Sequence, residues 1–223
     1  MNSIVELRPL GTFTTGIFDE GAAEIPAFDP ISDRLFVVNG DSDAIDVLDL
    51  SNPSNPTFLF AIALDNLGID GFVSGAPNSV AVANGIVAVA VAADTVTDLG
   101  QVAFFDADGT LLNAVQVGAL PDAVSFSPDG NFLVVANEGE PDDGIDPDGS
   151  VAIIDLTNGV TNATVAIADF AAFNGRENEL RGNGVRIAPG LSAAQDFEPE
   201  LPAISPDGTT AFVTLQETMP WQS

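Results

Sequence analysis

Six carboxylates crowd into one stretch of this chain. In NEGEPDDGIDPDG at 137–149, Glu138, Glu140, Asp142, Asp143, Asp146 and Asp148 fall within eleven residues. Hard oxygen donors on a flexible loop are what Ca²⁺ takes, usually six to eight of them, and a divalent cation relieves the repulsion between clustered carboxylates. The spacing departs from the EF-hand loop, because Gly144 stands where the first Asp of D-x-D-x-D-G belongs, ahead of Asp146 and Asp148. A second acidic stretch, QDFEPE, brings Asp196, Glu198 and Glu200, and a third, FDEGAAE, brings Asp19, Glu20 and Glu24. If these loops converge, they form a mouth for one cation, Ca²⁺ by its chemistry, or for a cationic ligand. The competing reading is a set of solvated acidic loops suited to high salt, with no ligand at all.

Other chemistries are closed off by composition. The 223 residues include 33 acids and 5 bases, for a formal net charge of −28, and there is no His, Cys, Lys or Tyr. Nucleophile pairs built on His or Cys, the usual zinc sites, disulfides, Schiff bases and phosphate-binding lysine loops are all excluded. So strong a negative charge repels phosphate backbones and anionic lipid, so no nucleic-acid or membrane partner is expected. The longest apolar run, IVAVAVAA at 86–93, is far short of the roughly 20 residues a membrane helix needs. The opening MNSIVELRPL carries no visible signal peptide. The one basic segment, FNGRENELRGNGVRI at 173–187, reads as a short helix with ion pairs among Arg176, Glu177, Glu179 and Arg181. Paired carboxylates doing acid–base work give too weak a signal among so many acids to name a catalytic residue.

The elements that must carry these loops are strands. Hydrophobic residues make up 46% of the chain, enough for a core, and Gly and Pro punctuate short Val-, Ala-, Ile- and Phe-rich runs throughout. The runs repeat. One unit starts near Pro26 (IPAFDPISDRLFVVNG, AIDVLDLSNP, TFLFAIAL), a second near Pro77, a third near Pro121 (PDAVSFSPDGNFLVVANEGE, SVAIIDLTNG, ATVAIA) and a fourth near Pro199. Each full unit reads as four strands. The first two are joined by a tight turn such as SPDG at 127–130 and 205–208, where Pro pre-sets the turn and Gly takes positive φ. The third ends in an aspartate (Asp49, Asp106, Asp155) placed to form an Asx-turn. Four-stranded units of about 45 to 50 residues predict an all-β chain, a β-propeller of four-stranded blades, rather than a sandwich. The predicted propeller is incomplete: about three full blades at 26–64, 77–117 and 121–168, the start of a fourth at 199–223, and a long insertion at 169–198.

In such a blade the 1–2 and 3–4 turns share one face, and the 2–3 loops and blade-to-blade links share the other. The second set is the long and variable one here. It spans about 17–25, 39–43, 65–77, 92–100, 118–122, 137–149, 168–200 and 216–217, and it holds 23 of the 33 acids. Variable loops on a rigid scaffold are where binding sites usually sit.

The stretches GIFDEGAAEIPAFDPISDRLFVVNG, VANEGEPDDGIDPDGSVAIIDL, FNGRENELRGNGVRIAPG and AQDFEPELPAISPDGTTAFVTLQE resemble the choice-of-anchor I domain, over nearly the whole chain. The family is a YVTN-like propeller of secreted bacterial proteins, some annotated alkaline phosphatase, and is similar to mesenchyme-specific cell-surface glycoprotein. The resemblance implies an extracellular or cell-surface location and places the family's acidic motifs on Glu138, Glu140, Asp196, Glu198 and Glu200. It carries no catalytic assignment. Where the family reads EPEY and an aliphatic residue, this chain has EPELP, which predicts a disturbed first strand in blade 4 at Pro202. Where the family runs on through further blades, LQE is followed by TMPWQS, so a fragment of about half a ring is expected.

Taken together, the sequence points to a non-catalytic extracellular binding or scaffold module with a cation-binding acidic face. The alternative is the N-terminal part of a calcium-dependent, alkaline-phosphatase-like hydrolase. An open arc leaves sheet edges unpaired, so self-association or a complementing piece is expected, alongside an unidentified protein or small-molecule ligand.

Overall fold

A computed structural model describes residues 6–18 and 21–216. Asp19, Glu20, Glu217 and the lone Trp221 lie outside the described residues. Three four-stranded antiparallel sheets follow one another along the chain, then a two-stranded one, each in simple up-and-down order. Blade 1 holds β1 (Pro26–Asp29), β2 (Arg34–Asn39), β3 (Ala44–Asp49) and β4 (Thr57–Ala63). Blade 2 holds β5 (Ser74–Ala83), β6 (Ile86–Ala93), β7 (Leu99–Asp106) and β8 (Leu111–Ala119). Blade 3 holds β9 (Pro121–Phe126), β10 (Phe132–Asn137), β11 (Ser150–Asp155) and β12 (Thr164–Asp169). Blade 4 is the hairpin β13 (Pro199–Ile204) and β14 (Ala211–Leu215). The first strands of successive blades, β1, β5, β9 and β13, are neighbours in space. That radial arrangement, innermost strand to innermost strand, is a β-propeller arc of three to four blades.

The blades stack through their faces. Alternate residues of the two middle strands point to opposite sides, so each interior blade feeds two cores. Phe36, Val38, Ile45 and Val47 of blade 1 pack against Val87, Val89, Val91, Ala103 and Phe105 of blade 2. The other face of blade 2 sets Ala88, Ala90, Val102 and Phe104 against Leu133, Val135, Ala152 and Ile154 of blade 3. This explains the unbroken apolar run of β6: both its faces are buried. The long insertion makes a small core of its own, where Phe170 and Phe173 meet Phe197 edge-on at 5.3 and 5.7 Å between ring centroids.

The turns follow local chemistry. Gly130 and Gly208 sit at φ 75° and 71° and donate their N–H to Ser127 and Ser205 carbonyls, both at 2.8 Å. Asp49, Asp106 and Asp155 accept backbone N–H bonds from Ser51 (2.8 Å), Asp108 (3.0 Å) and Thr157 (2.8 Å), which makes them the Asx-turns their position suggests. Pro202 disturbs the first strand of blade 4 without ending it. It lies within β13, and the pairing register shifts between Pro199 and Pro202. One expected loop shrinks: the link at 118–122 is the single residue Leu120, held at φ 46°, between β8 and β9.

Candidate carboxylate site between blades 3 and 4

The acidic loop after β10 and the entry to β13 meet. Glu138 leaves β10 with its N–H bonded to the Leu120 carbonyl (2.9 Å). Glu198 precedes β13, and its carbonyl accepts the Gln216 N–H (2.7 Å). Between them Gly149 allows close approach: a Cβ there would lie 2.6 Å from Pro199 Cδ and 3.0 Å from the Glu138 carbonyl oxygen. The insertion closes the back of the site with a short helix, α2 (Ala193–Asp196). Ser192 and Gln195 form its capping box, and Ala193 and Ala194 are fully buried. The Gly149 N–H donates to the Ala194 carbonyl (2.9 Å), and Gln195 Nε2 donates to the Asp146 carbonyl (3.1 Å).

This packing gathers carboxylates and buries them. Glu138 is 7% exposed, Asp196 3% and Glu198 2%. Burial, then the charges of Glu140, Asp122, Glu200 and Glu198, pushes the Glu138 carboxyl up to about 8. Burial, then Glu140, Asp196, Asp146 and Glu200, pushes Glu198 to about 7. Burial, with Glu200 and Glu140, raises Asp122 to about 6. Asp146 is also raised, by burial and by Asp148 and Asp196. With its nitrogen turned toward them, the Gln216 carboxamide donates to Glu138 Oε1 (3.2 Å) and to Glu200 Oε2. Glu198 Oε2 and Asp146 Oδ1 are buried and accept no hydrogen bond.

Of the residues singled out from sequence, the fold brings Glu138, Glu140, Glu198 and Glu200 into one electrostatic group, flanked by Asp146, Asp148 and Asp196. Asp142 and Asp143 instead form the loop's exposed tip, where Asp142 and Ile145 exchange backbone bonds at 2.9 Å around Asp143 and Gly144, both at positive φ. Asp122 was missed. Its signal was its place: Asn78, Asp122 and Glu200 each follow the proline that opens or enters a blade's first strand, the strand nearest the axis. Of the acids in the third loop, only Glu24 is described. Among the described residues, no three carboxylates stand together in a way that would hold a metal ion without side-chain movement.

The basic segment forms α1 (Glu177–Gly182). Arg176 pairs with Glu179 at 2.9 Å, as the spacing suggests. Arg181 turns elsewhere, donating to the carbonyls of Ile187 (2.9 Å) and Ala188 (3.0 Å), so it braces the insertion that carries α2.

The choice-of-anchor I domain profile matches residues 24–218. No curated protein was found to match the sequence. Solved structures with similar coordinates include a Pseudomonas aeruginosa periplasmic gluconolactonase (16% identity, 87% of this chain and 50% of that one, TM-score 0.51). Others are the Kuenenia stuttgartiensis hydrazine synthase (18%, 86% and 61%, 0.48) and a chain of the nidogen–laminin complex (16%, 89% and 57%, 0.49). At these identities the likeness is one of fold alone. The chain spans less than two thirds of the length of each of these structures.

Proposed function

The chain belongs to the choice-of-anchor I domain family, and from that premise we propose that it is a non-catalytic binding module whose carboxylate site takes a divalent cation, Ca²⁺ by its oxygen donors. The observation that carries this reading is Glu198: almost fully buried, with one carboxylate oxygen unpartnered, beside other acids whose charges raise its carboxyl. A buried charge without a partner is costly, and here either a proton or a cation relieves it. The donors come from two loops and two first strands, so a cation drawing them inward also ties blade 3 to blade 4. Binding on these terms requires side-chain rotation, which lowers affinity below that of a preformed cage. The family supports a secreted or cell-surface location, where millimolar-range Ca²⁺ sites are useful. Among the described residues no helix is long and apolar enough to cross a membrane.

Calorimetric titration of Ca²⁺ at pH 8 tests the reading. Heat with a millimolar or tighter Kd, a raised melting temperature, and loss of both in Glu198→Gln are expected. No heat and no stabilisation at millimolar Ca²⁺ defeats the cation. EDTA-sensitive hydrolysis of a phosphomonoester by the chain would instead favour a calcium-dependent, alkaline-phosphatase-like hydrolase.

A further inference from the structure

A second concavity lies where blade 1 meets blade 2, on the rim formed by the 64–73 link and the β6–β7 loop. Its volume is about 410 Å³, within the range of small-molecule clefts, which run from about 300 to 1,000 Å³. Gln101 of β7 lines it and is fully buried, yet both its Oε1 and its Nε2 lack any hydrogen-bond partner. Among the described residues it is the one side chain with both amide atoms in that condition. A buried amide costs free energy unless something answers both its donor and its acceptor.

The repeat shows why Gln101 stands alone. In blade 1, Val37 of β2 faces Asp46 of β3, and two residues on Asn39 donates from Nδ2 to Asp46 Oδ2 at 3.0 Å. In blade 3 the residue in the place of Asn39 is Asn137, which donates to the Ser150 hydroxyl at 3.2 Å. In blade 2, Val91 faces Gln101, so Gln101 stands where Asp46 does, and the asparagine is replaced by Ala93. The polar partner is removed and space beside Gln101 is opened: Ala93 itself lines the cleft.

We propose that this cleft binds a neutral polyhydroxylated ligand, a sugar ring, through the Gln101 carboxamide. Asp70, Asp94 and Asp98 line the cleft as exposed residues, and no base lines it, so anionic ligands are repelled. The ligand must accept from Nε2, donate to Oε1, and donate again to the carboxylates. Each hydroxyl of a sugar does both, so one kind of group answers the Gln101 amide and the carboxylates alike. Phe72 and Leu99 supply apolar wall for the C–H face of a ring. The lining comes from the link after blade 1 and from blade 2, so the site stands apart from the carboxylate group between blades 3 and 4.

Saturation-transfer NMR on the full chain tests this, with methyl glycosides of neutral hexoses and N-acetylhexosamines, neutral disaccharides, glucuronate, and an amidated lysine peptide as probes. At least one neutral sugar is expected to bind with a millimolar or lower Kd and to move the Gln101 side-chain amide resonance, while glucuronate does not. A preference for disaccharides over methyl glycosides marks a glycan end rather than a free sugar. Gln101→Leu should weaken binding at least tenfold. Ala93→Asn, which returns the partner blade 1 provides, should do the same and keeps the test decisive if Gln101→Leu fails to fold. Sugar binding should be the same in EDTA as in millimolar Ca²⁺, so failure of the cation reading is separable. No sugar signal from the wild type, binding indifferent to both variants, or Gln101-dependent binding of the peptide alone each overturns the proposal.

Discussion

Glu138→Gln is expected to stabilise the protein, increasingly so as pH rises. The carboxyl of Glu138 has its ordinary value of 4.5 when unfolded and about 8 when folded. Below pH 4.5 both states are protonated and the residue costs nothing. Between pH 4.5 and 8 only the unfolded state releases the proton, so folding loses about 1.4 kcal/mol per pH unit. At pH 7 the accumulated cost is about 3 kcal/mol, and above pH 8 it levels off at about 5 kcal/mol. Glutamine has the same shape, can still accept from Gln216, and carries no charge. For a chain of this size about 3 kcal/mol corresponds to a melting-temperature rise of roughly 6–12 °C at pH 7. Melting of wild type and variant at pH 4, 5.5, 7 and 8.5 measures it, with the difference between the two curves as the readout. Glu198 and Asp122 share the same repulsion, so their variants overlap with this one rather than adding to it. A difference that stays flat across the pH range, or a variant that melts below the wild type at pH 8.5, refutes the account of a buried carboxylate opposed by its neighbours.

Other outcomes follow from the same geometry. Ca²⁺ must displace protons from Glu138 and Glu198, so its apparent affinity should rise between pH 6 and 8 with measurable proton release; calorimetry in buffers of different ionisation enthalpy reads this directly. Gly149→Ala places a Cβ 2.6 Å from Pro199 Cδ, which should cost about 1–3 kcal/mol by denaturant unfolding and weaken Ca²⁺ binding by parting the two loops. Phe104 is fully buried between blades 2 and 3, and Phe104→Ala should cost about 3–5 kcal/mol by the same measurement. Among the described residues β14 pairs only with β13, and it exposes Phe212 (66%), so sedimentation should show concentration-dependent self-association that Phe212→Asp reduces. A monodisperse monomer across the concentration range would count against that edge as a contact.

Much of this molecule is set by short-range sequence. The β period of runs such as LFVVN and IVAVAVAA, the Ser-Pro-Asp-Gly turns, and the aspartates closing each third strand act within four or five residues, so they fixed four-stranded units and their turn face without reference to the rest of the chain. The proline at EPELP could be noticed in sequence, but whether it broke the strand depended on a partner, β14, and on a register shift the hairpin could absorb. The site is legible only in part for a related reason. Glu138 and Glu198 lie sixty residues apart and meet because an insertion folds α2 against the 138–149 loop, while Asp142 and Asp143, neighbours of Glu138 in sequence, are carried off by a turn at positive φ. Asp122 joins from the strand before. Gln101 looks like any strand glutamine until its position is matched to Asp46 and the absent asparagine to Ala93. Strand and turn preferences belong to the local backbone. Burial, the proximity of like charges, and whether a polar atom has found a partner belong to elements that only the packed arrangement brings together.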